Sequence, residues 1–397
     1  MELLSPAGNY QKFRTALRFG ADAVYLSGQA FGLRAFAGNF SDEEIVNATA
    51  EAHKLGKKVY VTLNILAKDS DFIGLDEYIK KLIVANVDAV IVSDLGIIAH
   101  IRKNFPMLDV HVSTQANVTN LKTAEFLADL GVKRIVLARE LNLEEIAVIA
   151  KALKDRVEIE CFVHGAMCVS YSGRCLLSDY LSSRSANHGE CVQACRWRYT
   201  IREISREDEL PIEEDEHGTY ILNSKDMCMI EHLKELEDAG IASLKIEGRM
   251  KSEYYVACVT AAYRRAIDML PNSAGDEFVK ELEKTSHRRF TTGFYFGEKD
   301  KQYRQSSSPI QTHEFVGVVQ GVKNGIATIE QRNYLKNGDI VEVLSPNNQV
   351  HNHTFTISDM HSVDGEPLEK ANVAQMLFTC ACNLTLTAGD ILRKKID

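Results

Sequence analysis

Proline and tryptophan are scarce in this 397-residue chain, at seven and one. With so few prolines, no long polar tract and 45% hydrophobic residues, extensive disorder is excluded and a large core can form. No apolar run approaches the roughly 20 residues that a membrane span requires. The opening MELLSPAGNYQKF lacks the basic and apolar regions of a signal peptide. An excess of positive charge is also missing: the net charge of −9 excludes a uniformly basic surface, though not a local basic patch. Three catalytic signatures are absent as well. There is no G-x-G-x-x-G after the first apolar run, no H-E-x-x-H and no G-x-S-x-G, which weakens a dinucleotide fold, a zinc protease and a serine hydrolase. These absences predict a soluble, cytoplasmic protein whose thiols sit in a reducing compartment.

What the chain does have is cysteine, concentrated in one place. Between His164 and Tyr199, Cys168, Cys175, Cys191 and Cys195 follow the pattern C-x6-C-x15-C-x3-C in a stretch rich in Ser, Gly, Arg and Tyr. Converging thiolates on Gly-containing loops make a soft metal centre, and the pattern favours iron–sulfur over zinc. Zinc sites show two tight C-x2–4-C pairs, and only Cys191/Cys195 approaches that spacing. Buried thiols or disulfides are the alternative, but four of nine cysteines in about a tenth of the chain argue against scattered core thiols. Cys380 and Cys382, alternating along a later strand, read as core thiols.

Short β-branched runs alternate with amphipathic stretches through the first two-thirds of the chain. Strands are expected at 2–5, 22–26, 58–64, 88–94, 109–115, 134–139, 157–165 and 243–248, with helices such as 41–55, 143–153, 225–239 and 252–270 between them. Eight such units predict an α/β fold, a (β/α)8 TIM-like barrel, rather than an open doubly wound sheet. The cysteine stretch then forms an insertion at about 165–230, leaving the barrel between its seventh and eighth strands. A barrel over 1–300 is followed by a polar linker at 301–312. From 313 to 397 the period changes to short alternating strands, which predicts a small β-barrel domain.

In such a barrel the strand ends face the chemistry. They carry Ser5, Tyr25, Asn64, Asp94, Gln115, Arg139, His164, Glu247 and Arg249. Capping or loop satisfaction is an equal reading for Ser5 and Asp94. His164, Glu247 and Arg249 read as functional, and Tyr25, Asn64, Gln115 and Arg139 as candidate substrate contacts.

HGAMCVSYSGRCLLSDY followed by GECVQACRWRY resembles the signature of the collagenase-like peptidase family. The likeness extends to ELLSPAGNYQKFRTALRFGADAVYL, HVSTQANVTN, LKIEGRMKS and RRFTTGFYFG, and so covers nearly the whole chain. Length and the C-terminal β-domain are most similar to the branch that hydroxylates tRNA. The resemblance implies iron–sulfur-dependent conversion of wobble uridine to 5-hydroxyuridine, with prephenate as co-substrate. A collagenase-like peptidase and hydroxylation of a ribosomal RNA base are the alternatives. It also implies a 4Fe–4S cluster on Cys168, Cys175, Cys191 and Cys195, with Cys228 the competing fourth ligand. Cys195 is preferred because its x3 spacing places it beside Cys191, whereas Cys228 is expected to start a helix. His164 is the expected acid/base group. Arg174 and Arg249 are expected to bind a small dicarboxylate through guanidinium forks, although Arg174 equally suits charge compensation of an anionic cluster. Tyr171 and Trp197, the latter flanked by Arg196 and Arg198, are expected to stack a splayed tRNA base. The RKK triplet at 393–395 is a candidate phosphate contact. Pairing with a second copy or a related chain is a further expectation from the resemblance.

Overall fold

The computed structural model describes residues 1–31, 39–167, 175, 177–182, 184, 190–194, 214–215, 218–219, 225–272, 275–297 and 310–396. Cys168, Tyr171, Arg174, Cys195 and Trp197 lie outside the described residues, as do Arg196 and Arg198.

The first sheet closes into the expected barrel. Its strands are β1 (Glu2–Pro6), β2 (Ala23–Leu26), β3 (Lys58–Leu63), β4 (Ala89–Val92), β5 (Asp109–Val112), β6 (Arg134–Val136) and β7 (Glu158–Ala166). Two short strands, β8 (Glu214–Asp215) and β9 (Gly218–Thr219), form a hairpin in the insertion. After β10 (Asp226–Cys228), strand β11 (Ser243–Ile246) pairs parallel with both β7 and β1, so eight parallel strands form a ring. Helices α1 (Tyr10–Arg18), α2 (Asp42–Lys54), α3 (Leu75–Val84), α4 (Leu95–Asn104), α5 (Leu121–Asp129) and α6 (Leu143–Leu153) alternate with the strands; α7 (Leu177–Ser182) lies in the insertion, and α8 (Leu233–Asp238), α9 (Glu253–Asp268) and α10 (Asp276–Leu282) follow.

Several helices begin on side-chain caps that the sequence supplies. Ser41/Glu44 and Asn142/Glu145 make capping boxes, and Asn9, Asp94, Asn120 and Ser252 accept first-turn amides. Asp94 is therefore a cap. Ser5 is structural too, its hydroxyl bonded to Thr260 at 2.9 Å.

Period-2 alternation divides the barrel strands between two cores. Leu3, Val24, Val59, Val90, Val110, Ile135, Ile159 and Leu244 face the helices in one apolar cluster. Their neighbours Leu4, Ala23, Tyr25, Tyr60, Ala89 and Ile91 form a second, separate cluster in the lumen. Ions join them there. Buried Arg134 pairs with Glu2 (2.5 Å), Glu158 (2.6 Å) and Glu160 (3.0 Å), and Lys245 pairs with Glu160 at 2.9 Å. Burial alone would raise the Glu160 carboxyl, but Lys245 and Arg134 hold it down to about 2. Lys245 also lies 4.7 Å over the Tyr25 ring, so the network reaches the level just below the strand ends.

One expected helix begins late. Residues 225–239 carry a helical pattern, yet the chain first forms β10, paired antiparallel with the end of β7 (Cys228 opposite His164, Asp226 opposite Ala166), and enters α8 only at Leu233. The nine-residue β7 outruns β6 and leaves an edge that the returning chain covers. Cys228 thus ends a strand; it does not start a helix. Strand β12 (Phe290–Thr291) lies beside β10.

The second sheet is antiparallel. It contains β13 (His313–Lys323), β14 (Ile326–Gln331), β16 (Ile340–Leu344), β17 (Thr354–Thr356), β18 (His361–Ser362), β20 (Leu377–Ala381) and β21 (Ile391–Lys395), in the order β17-β16-β21-β13-β14-β20-β18. β15 (Leu335–Lys336) and β19 (Lys370–Ala371) pair separately. The seven strands make a half-barrel over its own apolar cluster, and both Cys380 and Cys382 belong to that cluster.

Apolar and ionic contacts join the two parts. Phe19, Tyr254, Ala257, Cys258 and Ala261 pack with Leu344 and Ile391, and Phe315 stacks on Tyr254. Arg393, fully buried, donates to Glu281 at 2.6 and 2.9 Å, to Glu342 at 2.7 Å and to Asn352 at 2.6 Å. Lys394 pairs with Glu314 at 3.2 Å. The RKK triplet is therefore mostly engaged in ion pairs: Arg393 reaches across to Glu281 of α10, while Lys394 pairs inside the half-barrel. It is not a phosphate-binding tail, and of its three cations only Lys395 is exposed.

Candidate functional site at the barrel mouth

The strand ends assemble several contacts on one rim. Asn64, after β3, donates to Gln115, after β5, at 3.0 Å. Arg139 donates to the Ala166 carbonyl at 3.0 Å and lies 4.9 Å over the Phe162 ring, which fixes its guanidinium beside the strand that enters the insertion. Tyr25 is buried; its hydroxyl donates to the Ile246 carbonyl at 2.9 Å and stands 3.5 Å from Glu247 Oε2. A base has no access to a ring so placed, and Tyr25 acts as a support for Glu247.

Arg249 is 5% exposed and donates to Asn39 Oδ1 at 2.8 Å. Its carbonyl presses on the loop after β1: a Cβ added to Gly8 would meet Arg249 O at 2.1 Å. The residues SPAGN and EGR therefore touch backbone to backbone, which only glycine at position 8 permits.

His164 does not stand open on the rim. It is buried among Tyr255, Tyr263 and Phe290, with ring centroids at 6.0, 5.5 and 5.6 Å. Burial, reinforced by His287 and Lys251, lowers its pKa to about 3, so the imidazole is neutral near pH 7. A buried neutral ring cannot deliver a proton as an imidazolium, which narrows the acid/base role expected for it. Among the described residues, Nδ1 has no hydrogen-bond partner.

The strand that launches the cysteines is firmly anchored. Tyr295 donates to the Phe162 carbonyl at 2.6 Å, Tyr263 to the Val163 carbonyl at 2.8 Å, and Tyr255 to the Glu247 carbonyl at 2.9 Å. The Glu247 amide in turn donates to the His164 carbonyl at 2.9 Å. Tyr295 lies in the RRFTTGFYFG stretch, whereas Tyr255 and Tyr263, on α9, carry no motif that would single them out in sequence.

Two of the four motif cysteines are described, and they contact adjacent residues at the start of α7. Cys175 Sγ accepts from the Leu177 amide at 3.4 Å at the start of α7. Ser178 Oγ, in the first turn of α7, lies 3.9 Å from Cys191 Sγ and accepts the Val192 amide at 3.3 Å. Cys175 and Cys191, 16 positions apart, thus approach the same helical turn, with an amide and a hydroxyl donor directed at sulfur. That donor chemistry suits thiolates holding a cluster. Among the described residues, no group of three His, Cys, Asp or Glu forms a metal site. Cys228 lies elsewhere, 4.0 Å from the Tyr263 hydroxyl in the β7–β10 layer, and burial pushes its thiol up to about 12. Two open clefts, about 410 Å³ between α2 and α3 and about 500 Å³ beside Thr354–Thr356 and Cys382, lie away from the mouth.

An eight-stranded barrel with a thiol-bearing insertion after its seventh strand, followed by a β half-barrel, defines the class of protein. The family model described as Peptidase family U32 matches residues 8–305, and that of its C-terminal domain matches 311–393; the chain belongs to this family. It is 38% identical to tRNA hydroxylation protein P1 of Bacillus subtilis, an alignment covering 99% of this chain and 94% of that protein. It is also 38% identical to the 23S rRNA 5-hydroxycytidine C2501 synthase of Escherichia coli, over 87% of this chain and 52% of the synthase. A collagenase of Porphyromonas gingivalis is 32% identical over 87% of this chain and 86% of its own. No described helix is long and apolar enough to cross a membrane.

Proposed function

We propose that this chain is an RNA-modifying enzyme that hydroxylates wobble uridine of tRNA to 5-hydroxyuridine, using a 4Fe–4S cluster and prephenate. The approach of Cys175 to the Leu177 amide and of Cys191 to the Ser178 hydroxyl, neighbouring residues in the first turn of α7, is the observation that carries the reading. The near full-length similarity to a protein named for tRNA hydroxylation supports it.

Cys168, Cys175, Cys191 and Cys195 would hold the cluster, which when bound supplies single-electron transfer or, through a labile iron, Lewis acidity. The remaining roles fall to the rim. The Asn64–Gln115 amide pair offers donors and acceptors of the kind that read the imide edge of uracil. Glu247, held from below by Tyr25, is the candidate acceptor for the proton leaving carbon-5. Arg249 binds a carboxylate of the co-substrate, with Arg174 its expected partner. Tyr171 and Trp197 stack the extruded base. Neutral His164 serves as a wall and hydrogen-bonding group.

Nucleoside mass spectrometry of tRNA and ribosomal RNA from a strain lacking this chain tests the reading. Loss of 5-hydroxyuridine and its derivatives from tRNA is expected. Loss of a hydroxylated base from ribosomal RNA alone would transfer the activity to the rRNA alternative. Unchanged nucleosides together with iron-independent cleavage of denatured collagen would establish the peptidase.

A further inference from the structure

Three buried polar atoms beside the end of β7 have no hydrogen-bond partner among the described residues: His164 Nδ1, Asp226 Oδ1 and His287 Nε2. Their residues are 1%, 3% and 4% exposed. The strand pairings gather them. Asp226 stands opposite Ala166 in the antiparallel β7–β10 pair and beside Phe290 in the parallel β10–β12 pair. His164, Asp226 and Phe290 therefore project from one face of this extension. Both histidine rings lean on the Phe290 ring, His287 stacked on it at 4.4 Å and His164 at 5.6 Å. Tyr255 and Tyr263 of α9 pack against the His164 ring.

The donor and acceptor roles of these atoms are constrained. His287 Nδ1 lies 2.6 Å from the Arg288 carbonyl and must donate to it, which leaves Nε2 as the lone-pair nitrogen of the neutral ring. Asp226 Oδ2 accepts the Arg288 amide at 3.1 Å, and Oδ1 is a second acceptor. The neutral His164 ring has one N–H to give. Two acceptors beside one donor are the complement of water, which offers two hydrogens and a lone pair. Buried polar groups left bare are costly, and internal water is the usual remedy, making about three hydrogen bonds. A metal fits less well, since no group of three His, Cys, Asp or Glu forms a metal site among the described residues. We infer that ordered water bridges His164 Nδ1, Asp226 Oδ1 and His287 Nε2, and that Asp226 and His287 are thereby positioning residues holding His164 as its Nδ1–H tautomer. The ring then presents an acceptor, not a donor, at Nε2.

The test is a long-range proton–nitrogen correlation spectrum of the full-length protein labelled with nitrogen-15 histidine, which reads the tautomer of each ring. His164 is assigned by its loss in His164→Gln. Wild-type His164 is expected as the Nδ1–H form, with magnetisation transfer from that N–H to a long-lived water. Asp226→Asn keeps the size of the side chain but turns an acceptor into a donor. The water then donates to His164, and the tautomer ratio should swing toward Nε2–H at least about tenfold. His287→Phe keeps the stack on Phe290, removes the other acceptor and should reduce the Nδ1–H preference by about threefold. Thermal melting checks the fold of each variant; should Asp226→Asn fail to fold, the wild type and His287→Phe decide. Wild-type His164 in the Nε2–H form overturns the inference. So does an unchanged ratio in folded variants, or a His164 signal that moves on adding zinc or a chelator, which would make the bridge a metal. The inference goes beyond the proposed reaction and is read on the protein alone. The expected tautomer with unchanged cellular 5-hydroxyuridine would sink the proposed function and leave this site standing.

Discussion

Replacing Arg393 by methionine probes how the two parts of the chain are joined. The guanidinium is fully buried and makes four contacts of 2.6–2.9 Å, two of them to Glu281. Methionine fills part of the volume but leaves the 5%-exposed Glu281 without its main partner. Removing one member of a buried ion pair costs about 3–5 kcal/mol. Lys284 remains 3.0 Å from Glu281, so the lower end, about 3 kcal/mol, is expected. In a thermal melt of the 397-residue chain at neutral pH this corresponds to a loss of roughly 3–5 °C. Burial would raise the Glu281 carboxyl, but Arg393 overrides this and holds it well below its ordinary value of 4.5. The wild-type contribution is therefore present above about pH 4.5 and lost as pH falls through the depressed value. In the variant Glu281 protonates at higher pH, so the gap between the two proteins should narrow from pH 7 toward pH 4. Adding Glu281→Leu should recover most of the lost stability. A loss below about 1 kcal/mol, or unchanged melting with a salt-dependent loss of RNA binding, would refute the assignment of Arg393 to the domain junction.

Two further outcomes follow from the site. Gly165 has φ +111°, and a Cβ there would lie 2.5 Å from the Glu247 carbonyl. Gly165→Ala should lower stability by about 1–3 kcal/mol and expose the Glu247 amide to faster hydrogen exchange, whereas unchanged exchange would show that β7 and the Glu247 turn are not coupled. Protein purified without oxygen should be brown, and Cys175→Ala and Cys191→Ala should each bleach it; Cys195→Ala is expected to do the same and Cys228→Ala to keep the colour. Bleaching by Cys228→Ala alone would reassign the fourth ligand.

All eight barrel strands were legible because a parallel strand buried on both faces is a short, β-branched apolar run, and its length and composition separate it from a helix. The same signal could not show that alternate lumen positions hold Arg134, Glu160 and Lys245, since ion pairing depends on register across distant strands. The structure places Asn64, Gln115, Arg139, Glu247 and Arg249 at the strand ends, while the Tyr25 hydroxyl bonds to the Ile246 carbonyl and the His164 ring is buried among aromatics. Tyr255 and Ser178 escaped notice because each sits on a helix and acts through a tertiary contact, to Glu247 and to Cys191. The RKK triplet looked like a tail because its charges were visible and their partners, Glu281 and Glu342 at 50 or more residues' distance, were not.

The most direct test of the account returns the gene to a strain lacking this chain, in wild-type form and as Cys175→Ala and Cys191→Ala, and measures tRNA 5-hydroxyuridine by mass spectrometry. The account predicts that the nucleoside is absent from the deletion strain, restored by the wild type and not restored by either cysteine variant. Full restoration by both variants, or a deletion strain with normal 5-hydroxyuridine, would contradict it.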